Sequence, residues 1–231
     1  MESKLLKSAI LRMNNTWRPY PTLFYFPGIR SQSFWKKEDF KSVKILEDNY
    51  KIIKEEFQQA DLRDVKLEND YKLTGQEHSL HEGSWEWYSY ISKGSKMKKF
   101  NESFPKTFEI LESMDDLVTD IPFAYSFFSK LNCSSSIAPH YGPCNVRLRI
   151  HLGLDIPEGC YLKVAEQQRN WEEGKCLVFD DTYLHEVKNE NKEKKRVILL
   201  LDIWHPDIKL EEREAIIKMF GGAYEKGWLK K

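Results

Sequence analysis

Nine residues constrain this chain more than any others: Val146-Arg147-Leu148-Arg149-Ile150-His151-Leu152-Gly153-Leu154. Every even position is aliphatic and every odd one is polar or glycine, the two-residue period of a strand with two unlike faces. Arg147, Arg149 and His151 then stand in a row on one face, with the aliphatic side chains on the other. Cationic or donor groups so aligned repel one another unless anions lie between them or water bathes them. Around this segment, over residues 122–205, further short strands are expected at Ala124 to Leu131, Cys160 to Val164, Lys175 to Phe179, Tyr183 to Lys188 and Arg196 to Trp204. Turns fall at Pro157-Glu158-Gly159 and Glu173-Gly174. Many short strands with regular turn signals predict a sandwich or barrel.

The flanks read as helical. Phe40, Val43, Leu46, Tyr50, Ile53 and Phe57 recur at three- and four-residue steps, the stripe of one amphipathic helix from Asp39 to near Gln59. A second helix is expected over Phe104 to Met114, and a third over Leu210 to Phe220, stopped by Gly221-Gly222. Leu23-Phe24-Tyr25-Phe26, hemmed in by Pro19, Pro21, Pro27 and Gly28, is expected to lie across the core in extended form. Residues 60–95 read as mixed and turn-rich. With no linker in view, the chain reads as a single domain over 1–231: a helical N-terminal flank (about 1–120), a β core (about 122–206) and a C-terminal helix (about 210–220).

Lys plus Arg number 36 and Asp plus Glu 36, so no long-range field exists to hold a phosphate backbone or an anionic membrane surface. Nucleic acid is therefore not an expected partner. The longest aliphatic run, Val197 to Leu201, ends at Asp202, far short of the about 20 residues of a membrane span. Leu5-Leu6 and Ala9-Ile10-Leu11 are split by Lys7-Ser8, too short an apolar region for a secretory signal. Cys133, Cys144, Cys160 and Cys176 form no C-x-x-C pair and are expected as reduced thiols in a cytoplasmic protein.

Of the six histidines, His78, His81, His140, His151, His185 and His205, two stand where strands begin. His140 lies in Ala138-Pro139-His140-Tyr141-Gly142-Pro143, read as a turn ahead of the alternating strand, and His185 opens the segment His185-Glu186-Val187. Two imidazoles so placed suit one divalent metal at the open end of a jelly roll, or they are ordinary surface and packing residues. Arg196 heads an otherwise aliphatic strand and needs an anion, because an unpaired buried guanidinium costs several kcal/mol. That anion is either a bound carboxylate, gripped bidentately, or a protein carboxylate such as Asp202 or Glu186.

His140-Tyr-Gly-Pro, Asn145-Val-Arg147-Leu-Arg149-Ile-His151-Leu-Gly-Leu, Ile156-Pro, Trp171-Glu-Glu-Gly174-Lys, Phe179-Asp-Asp, His185-Glu-Val, Arg196 and Asp202-Ile-Trp-His-Pro206 together resemble the catalytic domain of the aspartyl/asparaginyl β-hydroxylases. The likeness is dense over residues 129–206 and weaker upstream, around Ser33-Phe34-Trp35. It implies a mainly β protein with flanking helices, built on a double-stranded β-helix (jelly roll, cupin-like). It further implies an enzyme that uses Fe(II), with 2-oxoglutarate and O2 as cosubstrates. His140 and His185 are then the metal ligands. Gly142 stands where most enzymes of this type carry a third, carboxylate ligand, and in this family water fills that place; Asp181 is the one nearby carboxylate that competes for it. Ser129 and Arg196 match the residues that take the distal carboxylate of 2-oxoglutarate, and Arg149 and His151 those that hold it near the metal. Arg147, turned to the same side by strand parity, is expected to face the substrate.

One segment departs from the pattern. The family reads Leu-Arg-Glu, with Gly and Trp following, and here stands Leu80-His81-Glu82-Gly83-Ser84-Trp85, one residue shorter. His81 and Trp85 are the substrate-binding candidates of that segment, but an imidazole is a poorer carboxylate clamp than a guanidinium. The implied substrate is a peptide or protein Asp or Asn side chain, hydroxylated at its β-carbon, or a small carboxylate. Competing readings are a non-catalytic jelly-roll binding module, an acyl-chain hydroxylase of the same superfamily and, more remotely, a cupin-type metal isomerase, which has no need of Arg196.

Overall fold

The alternating segment is a strand covered on both faces, the centre of a two-sheet sandwich. In the computed structural model the described residues are 18–62 and 81–229; the readings for residues 1–17 and 63–80, His78 among them, lie outside these. The strands are β1 (Phe34–Trp35), β2 (His81–Glu82), β3 (Trp85–Ser92), β4 (Ser95–Lys96), β5 (Ser126–Leu131), β6 (Ser135–His140), β7 (Arg147–Asp155), β8 (Cys160–Val164), β9 (Gln167–Arg169), β10 (Cys176–Phe179), β11 (His185–Asn189) and β12 (Arg196–Trp204). The helices are α1 (Lys41–Asp48), α2 (Tyr50–Leu62), α3 (Lys98–Ser103), α4 (Pro105–Glu112) and α5 (Leu210–Glu225).

The larger sheet runs β1-β10-β7-β12-β5-β3-β4 and the smaller β2-β6-β11-β8-β9. From β5 onward the chain winds between them: β5, β7, β10 and β12 in one, β6, β8, β9 and β11 in the other, all antiparallel. That winding is the jelly roll, a double-stranded β-helix. The aliphatic face of β7 (Leu148, Ile150, Leu152) shares a core with Leu46, Ile53 and Phe57 of α1 and α2. A second core, with Phe127, Leu131, Ile137, Leu162, Val164, Phe179, Ile198 and Leu200, fills the space between the sheets. The odd face of β7 looks into that space, so Arg147 and His151 are buried.

Several expectations are corrected. The helix from Asp39 is two, bent at Asn49, whose side-chain amide donates to Ile45 O at 2.8 Å. Residues 85–92, expected to be turn-rich, form β3; its aromatic residues are covered on both sides, so no alternation marks the strand. The Gly221-Gly222 stop is overridden: α5 continues to Glu225, and the chain turns at Gly227, where φ is +69°. The segment 23–26 edges the core without crossing it: Phe24 bridges to Cys144 and packs on Phe220, while Leu23 and Tyr25 are exposed. No helix among the described residues is long and apolar enough to cross a membrane.

Candidate active site

Direct pairing of β11 with β6 sets His185 opposite His140, with ring centroids 4.0 Å apart. His140 ends β6, where a turn was expected; Ser135, Ser136 and Pro139 hide that strand from a hydrophobicity pattern. Each ring is anchored on the carbonyl two residues before it: His140 Nδ1 on Ala138 O at 2.8 Å, His185 Nδ1 on Tyr183 O at 2.9 Å. A carbonyl only accepts, so both imidazoles donate from Nδ1 and keep the lone pair of Nε2. Burial lowers the pKa of His140 and pushes that of His185 down to about 3, leaving the neutral form that ligates metals.

Beside them Gly142 leaves no room for a third ligand from its own position. A Cβ there meets Asp181 Cγ at 2.4 Å and its carboxylate oxygens at 2.5 and 2.6 Å. Burial opposes the charge of Asp181, but Arg147 Nη2 at 2.7 Å and Arg149 Nη1 at 3.3 Å hold its carboxyl below the usual range. Its Oδ1 has no hydrogen-bond partner among the described residues. Asp202, on β12 opposite Arg149, completes the network: Arg147 Nη1 donates to Oδ2 and Arg149 Nε to Oδ1 at 2.9 Å.

The anions between the members of the cationic row include the protein's own Asp181 and Asp202, and Arg147, 1% exposed, is paired with both. Arg149 is partly exposed, at 14%, and is held by the same two carboxylates.

Arg196 differs. It is 1% exposed, yet no salt bridge joins it to Asp202, Glu186 or any other carboxylate among the described residues. Nη1 donates to Ser129 Oγ at 3.3 Å, the guanidinium sits 5.2 Å from the Trp171 ring centre, and Nε has no partner among the described residues. Burial without a counter-ion lowers its pKa to about 10. Ser129 Oγ also accepts the indole N–H of Trp85 at 2.9 Å, so its own hydrogen remains for another acceptor. The two sites are close because β5 and β12 pair Ser129 with Ile198, two residues from Arg196.

His151, opposite Leu200 on β12, is buried; its Nδ1 accepts the Trp171 indole N–H at 3.3 Å, and its Nε2 has no partner among the described residues. The Trp85 indole N–H is tied to Ser129 Oγ. His81 lies at the edge of the smaller sheet, beside Ile137 of β6, with its ring 6.4 Å from that of Trp85.

Sequence reasoning had Trp171 within its motif but gave it no task, and it weighed Asp202 only as a partner for Arg196. A readable signal existed for Asp202: one acid in a strand buried throughout demands a cation, and antiparallel parity offers Arg149.

The jelly roll thus brings together two neutral histidines whose Nε2 lone pairs are unprotonated, a buried arginine with no carboxylate partner among the described residues, and a glycine packed against Asp181. The aspartyl/asparaginyl beta-hydroxylase family model matches residues 47–206, and the chain belongs to that family. It is 31% identical over 205 residues to the mouse (Mus musculus) aspartate beta-hydroxylase domain-containing protein 2, covering 87% of this chain and 59% of that one. It is 32% identical over 199 residues to mouse aspartyl/asparaginyl beta-hydroxylase, covering 84% of this chain and 26% of that one. The chain thus spans about three fifths of the one relative and a quarter of the other. Among solved structures, a Pseudomonas putida prolyl-4-hydroxylase has a TM-score of 0.43 at 11% identity, over 71% of this chain and 98% of that one.

Proposed function

We propose that this chain is one dioxygenase domain that uses Fe(II), 2-oxoglutarate and O2 to hydroxylate an aliphatic C–H. The substrate in this reading is the β-carbon of an Asp or Asn residue in a peptide or protein, or a related small carboxylate or amide. The observation that carries it is Arg196: a guanidinium buried to 1% exposure, with no carboxylate partner among the described residues, is a standing demand for an anionic ligand. Ser129 adds a hydroxyl donor beside it, and His151 an unengaged ring nitrogen.

The residues present fit iron. His140 and His185 supply Nε2 lone pairs from rings locked by their Nδ1 anchors, and Asp181 holds the space at Gly142 from which another enzyme would extend a carboxylate. When bound, iron with O2 supplies the oxidant for an unactivated C–H bond while 2-oxoglutarate supplies two electrons and loses CO2. The protein's part is to orient and to exclude water. Arg196 and Ser129 fix the distal carboxylate of 2-oxoglutarate; Arg149, steadied by Asp202 and Asp181, holds positive charge near His140. The Asp or Asn substrate rests on the family's named activity, with His81 standing in the sequence where the resemblance has the family's substrate-clamp arginine. A cytoplasmic setting accords with four free thiols, three of them buried.

The test is 2-oxoglutarate decarboxylation with Fe(II), run beside mass spectrometry of Asp- and Asn-containing peptides for the gain of one oxygen atom. His185→Ala is expected to abolish both. Full turnover in that variant sinks the proposal.

A further inference from the structure

Trp171 touches two buried groups of the larger sheet, His151 and Arg196, neither of which has a carboxylate partner among the described residues. Its indole N–H donates to His151 Nδ1 at 3.3 Å, and its ring faces the Arg196 guanidinium at 5.2 Å. Trp171 itself is buried, in the loop between β9 and β10. That loop is clamped to β7 by Gly153 N on Lys175 O at 3.0 Å and by Gly174 N on Gly153 O at 2.9 Å. The approach requires glycine, since a Cβ at residue 153 meets Glu172 O at 2.3 Å.

An indole nitrogen can only donate, so the Nδ1 it reaches must accept, and the proton of a neutral imidazole then sits on Nε2. His140 and His185 are locked the opposite way, by carbonyls on Nδ1. Three neighbouring histidines, His185 beside His140 and both His185 and His151 against Phe179, are thus sorted into two kinds by what touches Nδ1.

We infer that Trp171 is a positioning residue: it fixes His151 in the Nε2–H tautomer, so that His151 offers a hydrogen-bond donor to a carboxylate or carbonyl oxygen of the cosubstrate and cannot join His140 and His185 as a metal ligand. The inference deepens the 2-oxoglutarate reading above and rests on it for the identity of the ligand; the tautomer lock itself does not.

The lock is tested on the metal-free protein by long-range proton–nitrogen NMR of 15N-histidine-labelled chain, with His151 assigned by its absence in His151→Gln. Wild type is expected to show His151 protonated on Nε2 alone and His140 and His185 on Nδ1. Trp171→Phe, which keeps a ring against Arg196 but removes the donor, is expected to shift His151 toward the other tautomer. It should also weaken 2-oxoglutarate about tenfold in anaerobic titration with Fe(II), the loss of about one oriented hydrogen bond. In the His151→Gln background the same substitution should have no further effect. If Trp171→Phe fails to fold, 3-benzothienylalanine at position 171 replaces N–H by sulfur at constant shape. An unchanged His151 spectrum, or an undiminished loss of affinity in the His151→Gln background, overturns the inference. If wild type binds no 2-oxoglutarate, the cosubstrate reading falls and the spectra alone judge the lock.

Discussion

A buried charge without a counter-ion makes opposite demands on stability and on binding, and among the described residues Arg196 is such a charge. Arg196→Met removes a cation that the ligand-free protein must bury uncompensated, so the thermal midpoint of that state should hold or rise. The same change should weaken 2-oxoglutarate by about 2–5 kcal/mol, because the distal carboxylate loses its counter-ion. A midpoint several degrees lower, with affinity unchanged in anaerobic titration, shows instead a structural arginine. Asp180 sets a second expectation. Burial raises its carboxyl to about 6 even though Thr182 and Ser31 donate to it. An aspartate in the unfolded chain titrates near about 3.9, so over the interval between, the folded state keeps a proton that the unfolded state has lost. Stability from this group is full below about pH 4 and is lost as pH rises through about 6, on the order of 3 kcal/mol in all. Asp180→Asn keeps an oxygen for the two Thr182 donors and turns the Ser31 bond round, the amide donating to Ser31 Oγ, and should flatten urea-denaturation stability over that window; an unaltered slope refutes the assignment.

The loop after β6 and the loop before β11 are fitted to each other, Gly142 N on Asp181 O at 2.6 Å and no space for a Cβ between them. Gly142→Asp alone should therefore cost at least about 1–3 kcal/mol from overpacking, more with a second carboxylate buried beside the first. Paired with Asp181→Ala it should recover much of that loss and bind divalent metal more tightly than wild type, as calorimetric titration would measure. If the pair binds metal no better, residue 142 does not face the space beside the histidines. This fitting was only half legible in the sequence. The glycine could be read, and so could β7, because its two faces differ. The filling of the space by Asp181 could not, since it depends on an approach between loops 39 residues apart in number. In the same way β12 was visible as an aliphatic run, while β3 and β6 were concealed, one by aromatics covered on both faces and the other by serines and a proline. The pairing of Arg147 with Asp181 and Asp202 was not legible either, because strand parity says which face a side chain takes and nothing of the acids that reach it from other elements.

Across the whole sandwich the two halves of the site belong to different sheets. His140 and His185 stand on β6 and β11 of the smaller one, Ser129, His151 and Arg196 on β5, β7 and β12 of the larger. In the proposed function, metal alone would engage the first set and a distal carboxylate the second, so that a ligand reaching both would tie the sheets together. Binding to the folded state alone raises unfolding free energy by about 2.7 kcal/mol at a hundredfold excess over Kd. Under the proposed reading, the shift with Fe(II) and 2-oxoglutarate together, measured anaerobically, should exceed the sum of the shifts with each alone. The excess is a coupling free energy, and linkage makes it reciprocal: the factor by which 2-oxoglutarate tightens metal must equal the factor by which metal tightens 2-oxoglutarate. Arg196→Met should remove the excess while leaving the metal-only shift in place, because the arginine touches neither histidine ring. Additive shifts in wild type mean that the two groups bind without a shared ligand and that the carboxylate held by Arg196 does not reach the metal.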